Sequence, residues 1–283
     1  GYKNNRMPFL QLSETLPVSL LREIVPTDAA PGDRHRFLEA ALYGVGGFLN
    51  SGNEGEDQDT AEYRRGLDRL WESFPERLRT DRMSPQHWQF GGTRPDNYPT
   101  RRIAALACLY GERLVEGIFG RLVRLVLSTT AEGRRRLDTS IRSALTEQFT
   151  HLAHPYWSRR YTFGGKRLKT ERGLVGQGRA ENILINVLLP LMLAHGDATD
   201  EPELNRRISL VWKKLPRRGL DTVLRRMYHV LFADGDDSSG LIDGARREQG
   251  LHQLHNDFCN SPDGCRGCVL YLAQKAGKKL AEV

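Results

Sequence analysis

Along most of this chain apolar side chains recur at three- and four-residue steps, the interval that lays one stripe along a helix. From Tyr63 the stripe passes through Leu67, Leu70, Trp71, Phe74 and Leu78. Pro99 opens a second, with Ile103, Leu106, Tyr110, Leu114 and Ile118 on one face. Proline suits a first helical turn because its missing N–H would have had no partner there. A third stripe covers 131–149, with Leu137, Ile141, Leu145 and Phe149 in register. Residues 180–195 are apolar nearly all round, which predicts a central helix that Pro190 kinks or splits. Further helices are predicted at 201–215, 220–232 and 245–258, with a last one from Val269. Alternation is scarce, and only 156–163 reads as a short hairpin arm. Loops fall at 51–59, 84–98, 164–178 and 234–240, where Gly, Pro, Ser, Asn and Asp gather without a period. The fold class this predicts is all-α, an irregular multi-helix bundle with a small C-terminal Cys/His metal knuckle. A division into a helical core region, 1–199, and a C-terminal helical subdomain, 200–283, follows from the acidic loop before the cysteines.

A length of 283 residues with 39% hydrophobic composition supports a core and argues against global disorder. No apolar run approaches the ~20 residues that span a bilayer. The longest, 183–194, contains Asn186 and Pro190. No membrane partner is expected. No charged-then-apolar leader opens the chain, so a cytoplasmic location is expected. The first residue is Gly1 rather than Met, and the chain is expected to be a piece of something longer. Its four cysteines, three of them crowded together, do not make a disulfide framework.

Charge is segregated. Residues 159–179 carry a net +6 and 206–226 a net +7, although the whole chain is only +7. The remainder is therefore acidic, chiefly at 54–62 and 234–243. A face that binds a polyanion produces this pattern, and so does a solvated arginine-rich surface. Arg94, Arg101 and Arg102 stand where the glycine loop 91–92 enters a helix, a position suited to a phosphate or carboxylate. The plainer reading is that Arg94 pairs with a carboxylate that fixes the loop. Tyr156 and Trp157 precede Arg159 and Arg160, the mixture of stacking and cationic side chains that single strands need. Their alternative is a core tryptophan and tyrosine with exposed arginines. Lys166, Arg167, Lys213, Lys214, Arg217 and Arg218 complete the candidate contact set. The partner expected is nucleic acid, DNA ahead of RNA, with an acidic protein as the alternative. Asn182 and Asn186, one turn apart on an apolar helix, are expected to hold neighbouring backbone.

The strongest chemical signal is His255, Cys259, Cys265 and Cys268, spaced H-x3-C-x5-C-x2-C. A C-x2-C pair on a tight turn brings two thiolates to one ion, and Gly264 and Gly267 permit the turn. His255 lies one helical turn before Cys259 on the same face, with His252 as a substitute nitrogen. Four N/S donors suit tetrahedral Zn²⁺ in a closed structural site. An iron–sulfur cluster is the competing cofactor. Its pattern requires a cysteine six residues after Cys268, where this chain has Gln274. Cys108, on an apolar helical face, is expected to be a small core residue. No G-x-S-x-G, H-E-x-x-H or Walker loop is present, and no catalytic constellation can be assembled.

Several landmarks in order carry a family resemblance: Gly1-Tyr2-Lys3-Asn4-Asn5 with Pro8-Phe9, then Arg94-Pro95-x-Asn97-x-Pro99-Thr100-x-Arg102. Tyr156-Trp157 with Tyr161, Asn182-x3-Asn186 with Pro190, and Cys259, Cys265 and Cys268 continue the series. On these the chain resembles the bacterial family DUF2851. The resemblance implies a helical C-terminal part of a longer protein, whose other half carries acidic and histidine motifs of nuclease type. It transfers no catalytic residue to this chain. The first cysteine gap is longer than the family pattern. The reading is an accessory helical domain that binds nucleic acid through a basic surface and is stabilised by structural zinc. A non-catalytic interaction scaffold, or part of a nuclease-like enzyme, is the alternative.

Overall fold

The computed structural model describes residues 4–26, 28–49, 55–111, 113–114, 117–131, 136–232, 240–259, 264–269 and 271–272. Helices α1 (Arg6–Thr15), α2 (Val18–Ile24), α3 (Pro31–Val45), α4 (Gln58–Glu72), α5 (Glu76–Thr80), α6 (Pro99–Gly111) and α7 (Ile118–Ser128) come first. They are followed by α8 (Leu137–Thr150), α9 (Gln177–Ile183), α10 (Leu189–Ala198), α11 (Pro202–Lys214), α12 (Thr222–Leu231) and α13 (Ala245–Leu254). Among the described residues there is no strand. The fold is all-α. Among the described residues no helix is long and apolar enough to cross a membrane.

Residues 1–125 with 143–181 form one compact unit, and 126–142 with 182–283 form another. The boundary near 200 read from the sequence is not one of the crossings. The acidic loop that suggested it lies, but for Gly240, outside the described residues, as do 51–54 of the first expected loop. The expected last helix is described only at Val269, Tyr271 and Leu272.

In the first unit α3 is the central element, packed against α4 and α6. Leu38, Ala40, Ala41, Tyr43 and Val45 are all fully buried. Because nearly every side of its second half is covered, α3 has no amphipathic stripe, and sequence periodicity passed it over along with α1 and α2. A Cβ on Gly44 would lie 2.2 Å from the Trp71 ring, so only glycine lets α3 and α4 approach this closely. The stripe from Tyr63 to Leu78 is shared between α4 and α5, which Pro75 separates. The stripe from Pro99 is likewise interrupted. It ends as a helix at Gly111, and α7 begins after Gly117, whose φ of +80° stops a right-handed helix.

The predicted hairpin arm at 156–163 is instead a loop that folds back on itself. The Leu168 N–H donates to the Arg159 carbonyl at 2.8 Å, and the Arg172 N–H to that of Ser158 at 2.8 Å. The first turn of α6 holds this loop from beneath. Arg101, fully buried, donates to the carbonyls of Trp157, Arg160, Arg172 and Gly173, the last at 2.9 Å. Arg102 donates to the Leu174 carbonyl at 3.1 Å and to Asn97. The Thr100 hydroxyl donates to the Tyr161 carbonyl at 2.8 Å.

In the second unit Pro190 perturbs its helix without breaking it. It stands in the first turn of α10, and Leu184–Leu188 widens into a π-turn whose closing bond runs from the Leu189 N–H to the Leu184 carbonyl. The wider turn accommodates a ring that cannot continue the α-helical ladder. The helix is not apolar-buried all round: Val187 is 52% and Leu191 49% exposed. Asn182 and Asn186 are exposed as well, and Asn182 Oδ1 accepts from Arg218 at 3.2 Å. Elsewhere in this unit α10 packs on α11, and Leu224, Met227, Tyr228, Ile242 and Leu251 form a core against which Cys259 rests.

Arg101→Lys keeps the charge but cannot reach four carbonyls from one ammonium. It should lower the unfolding free energy by about 3 kcal/mol in urea titration. A change within about 0.5 kcal/mol would show that the guanidinium does not hold the loop.

Candidate functional site

Two arrangements in the first unit gather functional side chains. The first is buried. Glu39, fully enclosed on α3, receives the Tyr63 hydroxyl on Oε1 at 2.8 Å, and His154 Nε2 lies 3.2 Å from the same oxygen. His35 Nε2 is 3.7 Å from Glu39 Oε1 and 3.3 Å from the Cys108 thiol. Among the described residues, His35, Glu39 and His154 are the group whose donor atoms converge within 4.8 Å, as metal ligands would.

The hydrogen bonding assigns a different role. His154 Nδ1 accepts the backbone N–H groups of Tyr156 and Trp157, each at 3.1 Å. A ring nitrogen that accepts carries no proton, so the ring proton sits on Nε2 and is directed at Glu39. A cation bound at Nε2 would have to displace that proton and leave the ring anionic. The group is a hydrogen-bond hub centred on Glu39 Oε1. Trp157 Nε1 donates to the Tyr63 hydroxyl at 2.8 Å, which ties α3, α4 and the 154–158 turn into one network. Cys108, expected in the core, is half-buried at the edge of this hub.

The second arrangement is open. Pro95, Tyr98, Tyr161, Thr162 and the loop 165–169 line a groove of about 480 Å³. Lys166, Arg167 and Lys169 are its charged residues, and no carboxylate lies in its lining. Across the same loop a depression of about 470 Å³ is lined by Asp57, Gln58, Asp59, Arg160 and 164–167. There the charges are already matched. Arg160 pairs with Asp57 at 2.9 Å, and Arg167 lies 3.4 Å from Asp59. Asp57 also caps α4 by accepting the Thr60 N–H at 3.0 Å. That bond, followed by the Arg160 guanidinium, holds its carboxyl below the ordinary carboxylate range.

The predicted contact residues therefore separate into two sets. Lys166 and Arg167 are exposed on the groove, and Arg94 is exposed beside Pro95. Asp96 pairs with Arg172 at 3.9 Å. Arg101, Tyr156, Trp157 and Arg160 are buried, and Arg102 is bonded to the loop backbone, so none of them presents a free face to a ligand. Tyr156 stacks on Tyr63 with centroids 4.4 Å apart, and Trp157 on Tyr43 at 5.5 Å. Arg159 pairs with Glu171 at 3.0 Å. In the second unit Lys213 and Lys214 are exposed at the end of α11, whereas Arg217 donates to the Ile242 carbonyl and the Arg218 N–H to Glu248 at 2.7 Å. Sequence reasoning missed Tyr98, Tyr161 and Lys169 as groove residues. Their signal was available, because Tyr98 immediately precedes the Pro99 helix start, Tyr161 lies three residues before Gly164, and Lys169 is in the same glycine loop as Lys166.

Around the cysteines, His255–Cys259 forms a π-turn that continues α13. His255 is buried, and its Nδ1 has no hydrogen-bond partner. The Cys268 N–H donates to the Cys265 carbonyl at 3.3 Å, closing the C-x2-C turn. Burial pushes the Cys259 thiol up, and the Cys268 and Cys265 thiols add to that. The four donor atoms are more open than the histidine–glutamate hub, and no three of them converge within 4.8 Å.

Fold and site together define an all-α protein with a cationic, aromatic-sided groove built on a loop. Residues 1–218 match the model of the family described as Protein of unknown function (DUF2851), and the chain belongs to that family. The assignment rests on most of the chain rather than on a C-terminal part alone. It stops before His255, Cys259, Cys265 and Cys268, so the cysteine landmarks lie outside it. No curated protein and no solved structure matches the chain.

Tyr43 and Tyr63 are enclosed, and burial first, then Glu39, raises both phenols well above 10.0. A raised folded-state value means that their contribution to stability is complete below pH 10.0 and is lost as pH rises through the folded-state value. Alkaline titration followed by phenolate absorbance should show two tyrosines ionising only with unfolding. Tyr63→Phe should leave one such tyrosine. Ionisation of all nine together in the folded chain would contradict this.

Proposed function

We propose that this chain binds nucleic acid through the loop-built groove of its first unit. The observation that carries the reading is the groove lining: Lys166, Arg167 and Lys169 stand beside Tyr98 and Tyr161 with no carboxylate among them. Cations neutralise phosphates and release counterions, while aromatic rings offer faces to bases. The Arg167–Asp59 pair does not compete strongly, since both side chains are more than half exposed and a pair of that kind contributes about 0–1 kcal/mol. The second basic stretch supports the reading less. Arg206 and Arg207 are held by Glu203, and Arg207 also donates to the Val126 and Thr129 carbonyls, at 3.0 and 2.6 Å.

Reversing Lys166, Arg167 and Lys169 to Glu should weaken binding at least ten-fold and reduce the salt slope by about three. Fluorescence anisotropy at several salt concentrations reads both. Unchanged affinity, or no binding by the parent chain at low salt, would overturn the proposal. An effect only from reversing Lys213 and Lys214 would move the contact surface to the second unit.

The same reading includes a structural Zn²⁺ at His255, Cys259, Cys265 and Cys268. It is supported by the unpartnered Nδ1 of a buried histidine and by the nearness of the Cys268 and Cys265 thiols to Cys259, whose own thiol they help to raise. Closing four donors on zinc would fix the end of α13 against Met227, whose sulfur is 3.9 Å from Cys259. Elemental analysis should find one zinc per chain, lost in Cys265→Ser together with protection of 245–272 from proteolysis. A brown chromophore would assign iron–sulfur instead. A metal-free chain whose thiols all react under native conditions would exclude both.

A further inference from the structure

We infer that the groove receives a single strand rather than a duplex, with one base against Tyr98 and Tyr161 and the backbone phosphates on Lys166, Arg167 and Lys169. The inference rests on the nucleic-acid reading above and specifies its ligand. Three features of the first unit lead to it.

The cations are on the wrong element for a duplex. Lys166, Arg167 and Lys169 belong to the irregular loop between α8 and α9, outside any helix. Reading a duplex through its major groove takes a helix or a two-stranded ribbon that can enter it. Here the surface is concave, and about 480 Å³ is within the range of small-ligand pockets, room for about one nucleotide.

The two tyrosines are already positioned. Tyr98 is half-buried and held edge-on by Phe90, with centroids 5.0 Å apart. Tyr161 lies 5.2 Å from the Arg101 guanidinium, and its own carbonyl is fixed by Thr100 at 2.8 Å. Rings held from behind lose little freedom when a base stacks on them, so the contact goes into affinity rather than into ordering the protein.

The neighbouring depression rejects the same ligand. It is almost equal in volume, about 470 Å³, but Asp57 and Asp59 line it. Their carboxylates repel phosphate and already hold Arg160. Size does not distinguish the two sides of the loop; charge does, and it directs a strand to the tyrosine side.

The test uses the full chain and four labelled probes of one sequence: single-stranded DNA, single-stranded RNA, the DNA duplex, and a single strand with abasic sites. Both single strands should bind about ten-fold or more tightly than the duplex and the abasic strand. Tyr98→Ala and Tyr161→Ala should each weaken single-strand binding about ten-fold, with duplex binding nearly unchanged. Tyr98→Phe and Tyr161→Phe should retain affinity, because stacking needs the ring and not the hydroxyl. If Tyr161→Ala unsettles the loop (visible as a lower melting temperature), Tyr98→Ala still decides. Equal affinity for duplex or abasic strand, or tyrosine variants without effect while the Lys/Arg reversals weaken binding, overturns this inference and leaves the proposed function standing. Failure of all four probes to bind at low salt overturns both.

Discussion

The first unit depends on one buried guanidinium. Arg101 leaves the first turn of α6 with no exposed surface and donates to carbonyls at both ends of the 157–173 loop. Loops expose backbone that must be satisfied, and a loop this long has few helical partners to offer. A planar fork with five donors can close several carbonyls at once, which no other side chain does. Burial lowers the Arg101 pKa from its ordinary value, so the charge is kept against a desolvation cost. The hydrogen bonds offset that cost only if the loop keeps one conformation. The same turn supplies Thr100 and Arg102 to the loop, so α6 acts as its foundation.

The histidine–glutamate hub performs the matching task on the other side. His154 caps the turn that follows it through Nδ1 and reaches Glu39 through Nε2, so one ring connects a loop to the central helix. Tyr63 and Trp157 extend the chain of donors, with the Tyr63 hydroxyl both accepting and donating. Glu39 Oε1 is crowded with partners while Oε2 has none, an asymmetry that keeps the carboxylate strongly dependent on Tyr63 and His154. Together Arg101 and His154 fix the backbone between them, and the groove wall is the outward face of that fixed segment.

The helical class was legible from periodicity, and so were the Pro99 helix start, the irregularity at Pro190 and the loop after residue 163. Each has a local cause: a one-sided stripe, or a proline. What was not legible has a cause of a different kind. α3 is covered on nearly all sides and so lacks a period, and the Glu39 hub joins residues more than a hundred positions apart. The interleaved Tyr156, Trp157, Arg159 and Arg160 read as a stacking surface because composition cannot say which way a ring faces. The structure turns Tyr156 and Trp157 inward onto Tyr63 and Tyr43 and leaves Tyr161, at the end of the same run, on the groove.

A net charge counted along a chain treats arginine and lysine alike, and around this loop they do different work. Arg101, Arg102, Arg159 and Arg160 bond to carbonyls and carboxylates of the protein itself. Lys166 and Lys169 are left at the surface. The division follows from chemistry. The guanidinium is weakly hydrated and matches two acceptors at once, so it can be drawn inside. An ammonium is a compact, strongly hydrated point charge on a flexible stem, better suited to following a mobile phosphate. Within 159–179 the net +6 is thus partly a scaffold and partly a surface. The scaffold arginines hold the loop in the shape that places the lysines, with Arg167, beside two tyrosines. The basic character read from the sequence thus leaves few positions for the proposed ligand, because the remainder is engaged within the protein.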